Sequence, residues 1–520
     1  MPIRSEKERD ILIMVDMKAK PFYLSEEDCK WVEETIAGMT TEEKIGQLFF
    51  NMGSSRDEEY LKMTVDKYHI GGIRYNPATG AEVREQNRIL QENSKIPLII
   101  ACNTENGGNG ACTDGTMIGQ QTKIGATRDA RYAYELGRMS NKEAAAIGCN
   151  LSFAPVSDIL YNWENPVIGL RTYGNDVDRV CEMTKAYMDG AHTNEGFCCA
   201  AKHFPGDGLD FRDQHVADSV NDMSCEEWDA SYGKVYQNLI DNGLEAIMAG
   251  HIMQPAYTRH FNPGIKDEDI MPATLSPELI EGLLRGKLGF NGMVLTDASH
   301  MVGLTCCMKR SEMLPHTIAA GVDMFLFFNE MDEDFASMMA GYENGIITEE
   351  RLNDALHRIL ALKAHMGLHK KAKNEIVPPV EVMEQVVGCE EHKAMAREIS
   401  EKGITLVKYK DEDVLPMIPS RYKRIMIVSV SGLSAGVMGT MMAKYMGGGK
   451  KSPAERLRDK LIEKGFDAFI YESPLDALAK RAAAGEKVDI NMYFAGKTPI
   501  KEFVEKQDLI ITLVDIAGGF

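Results

Sequence analysis

Three short stretches carry residue types that could do chemistry. Lys202-His-Phe-Pro-Gly-Asp-Gly208 ends an apolar run and breaks into a loop at Pro205-Gly206. Asp213-Gln-His215 follows on the same loop. A carboxylate two residues from a histidine can hold the imidazole and favour its protonated form, which suits a general acid/base near neutral pH. Asp297 closes the apolar run Met293-Val-Leu-Thr296, so a carboxylate sits where a buried segment meets solvent. It could serve as a nucleophile or stabilise a cation; alone, it could equally cap the next helix. Lys202, His203 and Arg171 (in Gly169-Leu-Arg-Thr-Tyr-Gly174) are donors suited to hydroxyl groups, although an ion pair explains each as well. His251 reads as a site residue or as a core histidine. One nucleophile-type Asp, one Asp/His pair and several hydroxyl donors are together the equipment for glycosyl transfer.

Elements must bring these residues together. Eight buried runs have the length and composition of strands covered on both faces: 45–51, 71–75, 97–103, 151–156, 198–204, 245–251, 292–297 and 322–328. Helix-period segments such as 130–148 and 226–242 alternate with them. Eight β-α repeats without a Gly-x-Gly-x-x-Gly turn after the first strand predict a TIM-type (β/α)8 barrel rather than a doubly wound sheet. In such a barrel the strand ends carry the site. Here those ends hold Asn103 with Glu105, Asp158, Lys202 with His203, His251 and Asp297.

The expected layout is an arm over residues 1–24 and the barrel over 25–371. A linker over 372–388 and a second α/β domain over 389–520 follow. Ser25 and Thr40 are N-cap signals, and the helix after Thr348, stopped at Gly367, closes the barrel. The second domain is expected to begin with a helix over 391–402 and a strand over 404–408. Strands over 424–430, 468–471 and 509–514 and a helix near 453–464 follow. Residues 436–450, rich in Gly, Met and Lys, are expected to form a mobile loop. A sheet domain stopping at Gly518-Gly-Phe520 is expected to be a fragment of a longer one.

Composition excludes some classes. A chain of 520 residues with 44% hydrophobic and 26% charged residues is that of a globular protein. A net charge of −20 argues against a nucleic-acid partner. No run approaches the ~20 apolar residues that span a bilayer, and Ile11-Leu-Ile-Met-Val15 is too short for a signal sequence. The 11 cysteines are scattered or in adjacent pairs, which predicts reduced thiols, no metal site and a cytoplasmic location. No cofactor motif stands out.

Several motifs in order resemble family 3 glycoside hydrolases, in their β-N-acetylhexosaminidase-like branch. Lys202 to Gly208 with Asp213-Gln-His215 resembles the family's signature loop. Met39-Thr-Thr-Glu-Glu-Lys-Ile-Gly-Gln-Leu48, Leu151-Ser-Phe-Ala-Pro-Val-Ser-Asp158, Gly169 to Gly174 and Leu284-Arg-Gly-Lys-Leu-Gly-Phe-Asn-Gly292 resemble other family segments. The resemblance covers most of 39–370, and the second domain is similar to the family's α/β sandwich. It implies a retaining β-glycosidase in which Asp297 forms a covalent glycosyl-enzyme. His215, paired with Asp213, would be the acid and then the base, and Lys202, His203, Arg171 and Asp158 would hold the sugar. Asp207 stands where the branch has His, and Asn103 where it has Asp. Both lie where the sugar is gripped, so N-acetylglucosamine, glucose and other β-hexosides stay open. A small β-glycoside is the expected partner, with water or inorganic phosphate as acceptor, because a neutral His does not repel a phosphate dianion. A sugar-binding barrel without activity is the remaining alternative.

Overall fold

The structure, a computed structural model, describes residues 13–409, 414–431, 451–472, 481–482, 485–488 and 504–515. They divide into two compact units, Met1–Thr405 and Leu406–Phe520.

The first unit contains all eight expected strands. They are Phe49–Met52, Gly72–Arg74, Ile99–Cys102, Leu151–Ser152, Cys198–Phe204, Ala246–Ala249, Met293–Thr296 and Phe325–Leu326. They are parallel and neighbour one another in chain order, with the eighth paired to the first through Phe49↔Phe325 and Phe50↔Leu326. This is the (β/α)8 barrel. The seam between the seventh and eighth strands is the weak one, a single bridge at Leu295↔Met324. Side chains reinforce it. Buried Asp323 accepts the Val294 N–H at 2.8 Å and Arg285 Nη2 at 2.9 Å, and pairs with Arg351.

Alternation along the strands decides what faces inward. Phe50 meets Phe153 across the barrel, ring centroids 5.6 Å apart. Ala200, Met248 and Leu295 share their core, whereas Ala201, Ala249 and Val294 pack in the outer layer against helices. Counting on by two puts Lys202 and Asp297 on the inner face. The register Met52↔Arg74↔Ala101 puts Arg74 there too, with Asn103 two residues beyond Ala101.

Caps behave as their residue types predict. Ser25 and Thr40 form capping boxes with Asp28 and Glu43, and Thr348 caps the helix Glu349–His365, which ends before Gly367 at φ 69°.

Several boundaries differ from expectation. Residues 45–47 belong to the helix Thr41–Gln47, because the Thr40 cap starts a helix that runs into the apolar stretch. The described part of the N-terminal arm packs on the barrel: Phe22 and Leu24 are buried, and the Ile13 carbonyl accepts a bond from Arg358. The expected linker holds a helix, Val380–Val386, with Met383 buried. The helix Glu390–Lys402, expected to open the second domain, packs on the first unit. There His392 Nδ1 lies 2.7 Å from buried Glu143 Oε1, and Arg138 pairs with Glu391 at 2.8 Å. Residues 404–408 form no strand, and Val407 is 89% exposed.

The second unit is a parallel sheet in the order Asp467–Ile470, Arg424–Ser431, Leu509–Asp515. The helix Pro453–Glu463 supplies Ala454 and Leu461 to a core with Ile425 and Ile427. The expected loop over 436–450 and the terminal Gly518-Gly-Phe520 lie outside the described residues. No described helix is long and apolar enough to cross a membrane.

Candidate active site

The fifth strand delivers Lys202 and His203 at its C-terminal end, where the Lys202–His203 and Phe204–Pro205 peptides are both cis. Lys202 Nζ reaches Glu105 Oε2 at 3.0 Å. Arg171 grips the same carboxylate with two bonds, Nε to Oε1 at 3.0 Å and Nη2 to Oε2 at 3.2 Å. Burial alone would raise the Glu105 carboxyl, but the two cations overcome it and hold it below the usual carboxylate range. Burial pulls Lys202 down, Glu105 opposing. Glu105 thus aligns the strand-end lysine with an arginine from the loop after the fourth strand.

His203 is held from behind. Asp158 Oδ2 lies 2.7 Å from its Nδ1, and Asp158 Oδ1 accepts the backbone N–H groups of His203 and Asp207 at 3.1 and 2.8 Å. Asp158 is fully buried. With Nδ1 committed, Nε2 faces Asp297, 3.8 Å from its Oδ2. Asp297 Oδ1 accepts the Ala298 N–H at 2.7 Å. Burial raises the Asp297 carboxyl, but His203, His251, the Ala298 N–H and Lys202 together bring it below its ordinary value.

The loop after the fifth strand carries the Asp/His pair. Asp213 Oδ1 accepts the His215 backbone N–H at 2.8 Å and the Nδ1–H at 2.6 Å. The loop is tied to the segment after Asp297. The Val302 and Gly303 N–H groups donate to the His215 and Gln214 carbonyls, each at 3.0 Å. His251 feels the charges of Asp297, His215 and His203, so all four share one electrostatic neighbourhood.

Three residues expected to meet a sugar are turned to other work. Asp158 spends both oxygens on His203 and the Asp207 N–H. Buried Asp207 accepts Asn165 Nδ2 at 2.9 Å, the Gly208 N–H at 2.6 Å and Gln214 Nε2 at 3.3 Å. Burial, then the Asp158 charge, pushes its carboxyl up to about 6. His251 lies between Thr274 Oγ1, at 2.9 Å from Nδ1, and the Ala298 carbonyl, at 3.0 Å from Nε2, so no ring nitrogen is left for a ligand.

Three other residues matter as much. Glu105 is the hub described above. Fully buried Gln214 accepts the His251 N–H at 2.9 Å and reaches Asp207, so it fastens the Asp/His loop from within. Arg74, inward at the end of the second strand, donates to Met52 Sδ at 3.3 Å, and no carboxylate pairs with it among the described residues. Burial lowers its pKa, nearby Glu105 offsetting only part. The grouping Cys198, Glu245 and His365, whose donor atoms lie within 4.8 Å of one another, has metal-ligand types. It sits at the opposite end of the fifth strand from Lys202, away from this site.

The model of the glycosyl hydrolase family 3 N-terminal domain matches residues 40–362, the segment that builds the barrel and the site. The chain belongs to glycosyl hydrolase family 3. A relative within the family, the beta-N-acetylglucosaminidase/beta-glucosidase of Cellulomonas fimi, is 39% identical over 460 residues. The match covers 88% of this chain and 79% of that protein. Among solved structures, beta-glucoside phosphorylase BglX is 37% identical with a TM-score of 0.85, covering 96% of this chain and 83% of that one. A family 3 beta-N-acetylglucosaminidase from Paenibacillus sp. str. FPU-7 is 25% identical with a TM-score of 0.74, covering 92% and 85%. Membership makes the protein a glycosidase-type enzyme.

Proposed function

We propose that the protein is a retaining, exo-acting β-glycosidase acting on β-glucosides or β-N-acetylglucosaminides. The observation that carries this is the meeting of Asp297, a carboxylate held below its ordinary pKa, with the Asp213–His215 pair on a loop hydrogen-bonded to the segment after Asp297.

In the first step the Asp297 carboxylate attacks the anomeric carbon while the His215 Nε2–H protonates the departing oxygen. Asp213 holds Nδ1, and the transferred proton is assigned to Nε2. The glycosyl group then rests on Asp297 as an ester. In the second step neutral His215 takes a proton from the acceptor, which attacks the same carbon and frees Asp297. Lys202, Arg171, Asn103 and His203 Nε2 line the mouth as hydroxyl partners, and Arg74 adds a further cationic donor on the far side from the Asp/His loop.

Water is the proposed acceptor. Phosphate is the second reading, supported by the phosphorylase among the similar structures and by an acid/base that, once neutral, does not repel an anion. An activated 2-deoxy-2-fluoro-β-glycoside tests the covalent route that both readings share. The expected result is a protein heavier by one fluoroglycosyl group, located on the peptide containing Asp297. An unlabelled protein that still turns over substrate would overturn the covalent route. Turnover of aryl β-glucoside and β-N-acetylglucosaminide with and without phosphate then reads the acceptor: free sugar supports hydrolysis, and sugar 1-phosphate as main product refutes it.

A further inference from the structure

At the foot of the barrel, metal-ligand residue types converge from separate parts of the chain. Cys198 opens the fifth strand, Glu245 stands immediately before the sixth, and His365 is the last residue of the closing helix Glu349–His365. One donor atom from each of the three lies within 4.8 Å of the other two. A fourth residue, His192, follows the helix Val177–Ala191, and its Nε2 lies 2.8 Å from Glu245 Oε1. Ligands so far apart in sequence leave no short spacing, which is why the cysteine pattern predicted no metal site.

The bonds around these residues leave the ligand atoms uncommitted. His365 Nδ1 lies 2.9 Å from the Phe22 carbonyl. A carbonyl only accepts, so Nδ1 carries the proton, and Nε2 of the neutral ring presents a lone pair 3.9 Å from Glu245 Oε1. Two lone pairs facing each other call for a cation between them. His192 Nε2 is shielded from solvent and, close as it is, is not aligned for a hydrogen bond with Glu245. Cys198 and Glu245 are buried. No lysine or arginine pairs with Glu245 among the described residues, and its Oε2 takes the Cys199 N–H at 3.1 Å, which leaves Oε1 to the histidines. Ligands bound at ~2.0–2.3 Å to a tetrahedral ion stand about 3.3–3.8 Å apart, so the group need contract by only about 1 Å to hold one.

We infer that Cys198 Sγ, Glu245 Oε1, His365 Nε2 and His192 Nε2 form a structural zinc site. A thiolate, two imidazoles and one carboxylate suit Zn2+, whereas Mg2+ and Ca2+ take oxygen ligands. Binding exchanges protons for the ion: the Cys198 thiol proton leaves to solvent, as does any proton on either Nε2. Protein fills all four positions, so the ion holds structure and performs no chemistry. It fastens the closing helix, and through Phe22 the N-terminal arm, to the start of the fifth strand. Lys202 lies about 13 Å further along that strand, so the ion does not touch the proposed reaction.

The test uses untagged protein stripped with a chelator, and Co2+ and Zn2+ as probes. The expected result is one Co2+ per chain, with the near-ultraviolet charge-transfer absorption of a cobalt–thiolate bond and the strong visible bands of four-coordinate cobalt, both erased by Zn2+. Cys198→Ser should abolish the charge-transfer absorption, and His365→Gln should weaken binding at least about tenfold. Zn2+ should raise the thermal midpoint of the wild type more than that of His365→Gln. Near-ultraviolet circular dichroism checks that each variant folds; if Cys198→Ser does not, His365→Gln and His192→Gln, at partly exposed side chains, decide. A wild type with no cobalt–thiolate absorption overturns the site. So does absorption that survives Cys198→Ser, and so does a folded His365→Gln that binds Co2+ as tightly as the wild type. None of these readouts involves turnover, so they are independent of the reaction at the other end of the barrel.

Discussion

Buried Asp158 holds His203 Nδ1 at 2.7 Å, and that one bond decides which imidazole nitrogen is presented to Asp297. Asp158→Asn keeps the shape and removes the charge. A charge-assisted bond is worth ~1.5–3 kcal/mol, so kcat/KM should fall about 10- to 100-fold. The sign of the pH effect follows from Asp297. Its carboxyl lies below the ordinary value partly because of His203. With residue 158 neutral, His203 holds Asp297 down less, and the acid limb of the kcat/KM profile should move to higher pH. A profile that keeps its acid limb contradicts the role given to Asp158.

Glu105→Gln strands two cations, buried Lys202 and half-buried Arg171. Breaking a buried ion pair on one side costs about 3–5 kcal/mol, and the side chains proposed to meet the sugar lose their alignment. The thermal midpoint should drop and KM should rise at least about tenfold, read by differential scanning fluorimetry and steady-state kinetics. Glu105→Asp should recover part of the stability and less of the KM.

Arg74→Met should behave in the opposite way on stability. No ion pair is lost among the described residues and a half-buried charge is removed, so the midpoint should hold or rise. KM should still increase about tenfold, the size of one hydrogen bond from a charged donor. A variant with unchanged KM for both glycon types would remove Arg74 from the substrate's surroundings.

Lys363 is fully buried, with Nζ 2.7 Å from Gln47 Oε1, and burial pulls its pKa down to about 7. An unfolded lysine titrates near ~10.4. Between these values the unfolded chain binds more protons, so stability rises with pH, by up to ~1.4 kcal/mol per pH unit. Below pH 7 the folded state carries the full cost of the buried charge. Lys363→Met should therefore raise the midpoint most at pH 6 to 7, and its lead over the wild type should shrink by pH 9. A constant difference across that range would show that Lys363 is not titrating.

The barrel was legible because buried parallel strands are apolar runs, and eight of them alternate with amphipathic segments. Strand edges were less so. At Ile45 a cap overrode the apolar pattern, and at Ile404–Lys408 the β-branched residues found no partner strand. Residue types at strand ends named Asp297, His203, Lys202 and the Asp213–His215 pair. They did not tell a residue that faces the mouth from one that holds its neighbour. Asp158, Asp207 and His251 are polar and at strand ends or turns, yet their hydrogen-bond capacity is spent inside the wall. Glu105 was visible as a strand-end carboxylate, but its role depends on two cations distant in sequence. Gln214 looked like a spacer between Asp213 and His215. Arg74 could have been found by strand period, since it stands two residues on from an inward glycine.

The bonds from Val302 and Gly303 to the loop of His215 tie the segment after Asp297 to the proposed proton donor. In the proposed mechanism, the distance between attacking carboxylate and proton donor is then set by the wall of the barrel, before any ligand arrives. Leaving groups of different bulk must adapt to that fixed gap, and tolerance of acceptors would be altered by loosening residues 302–303 without touching either reacting side chain.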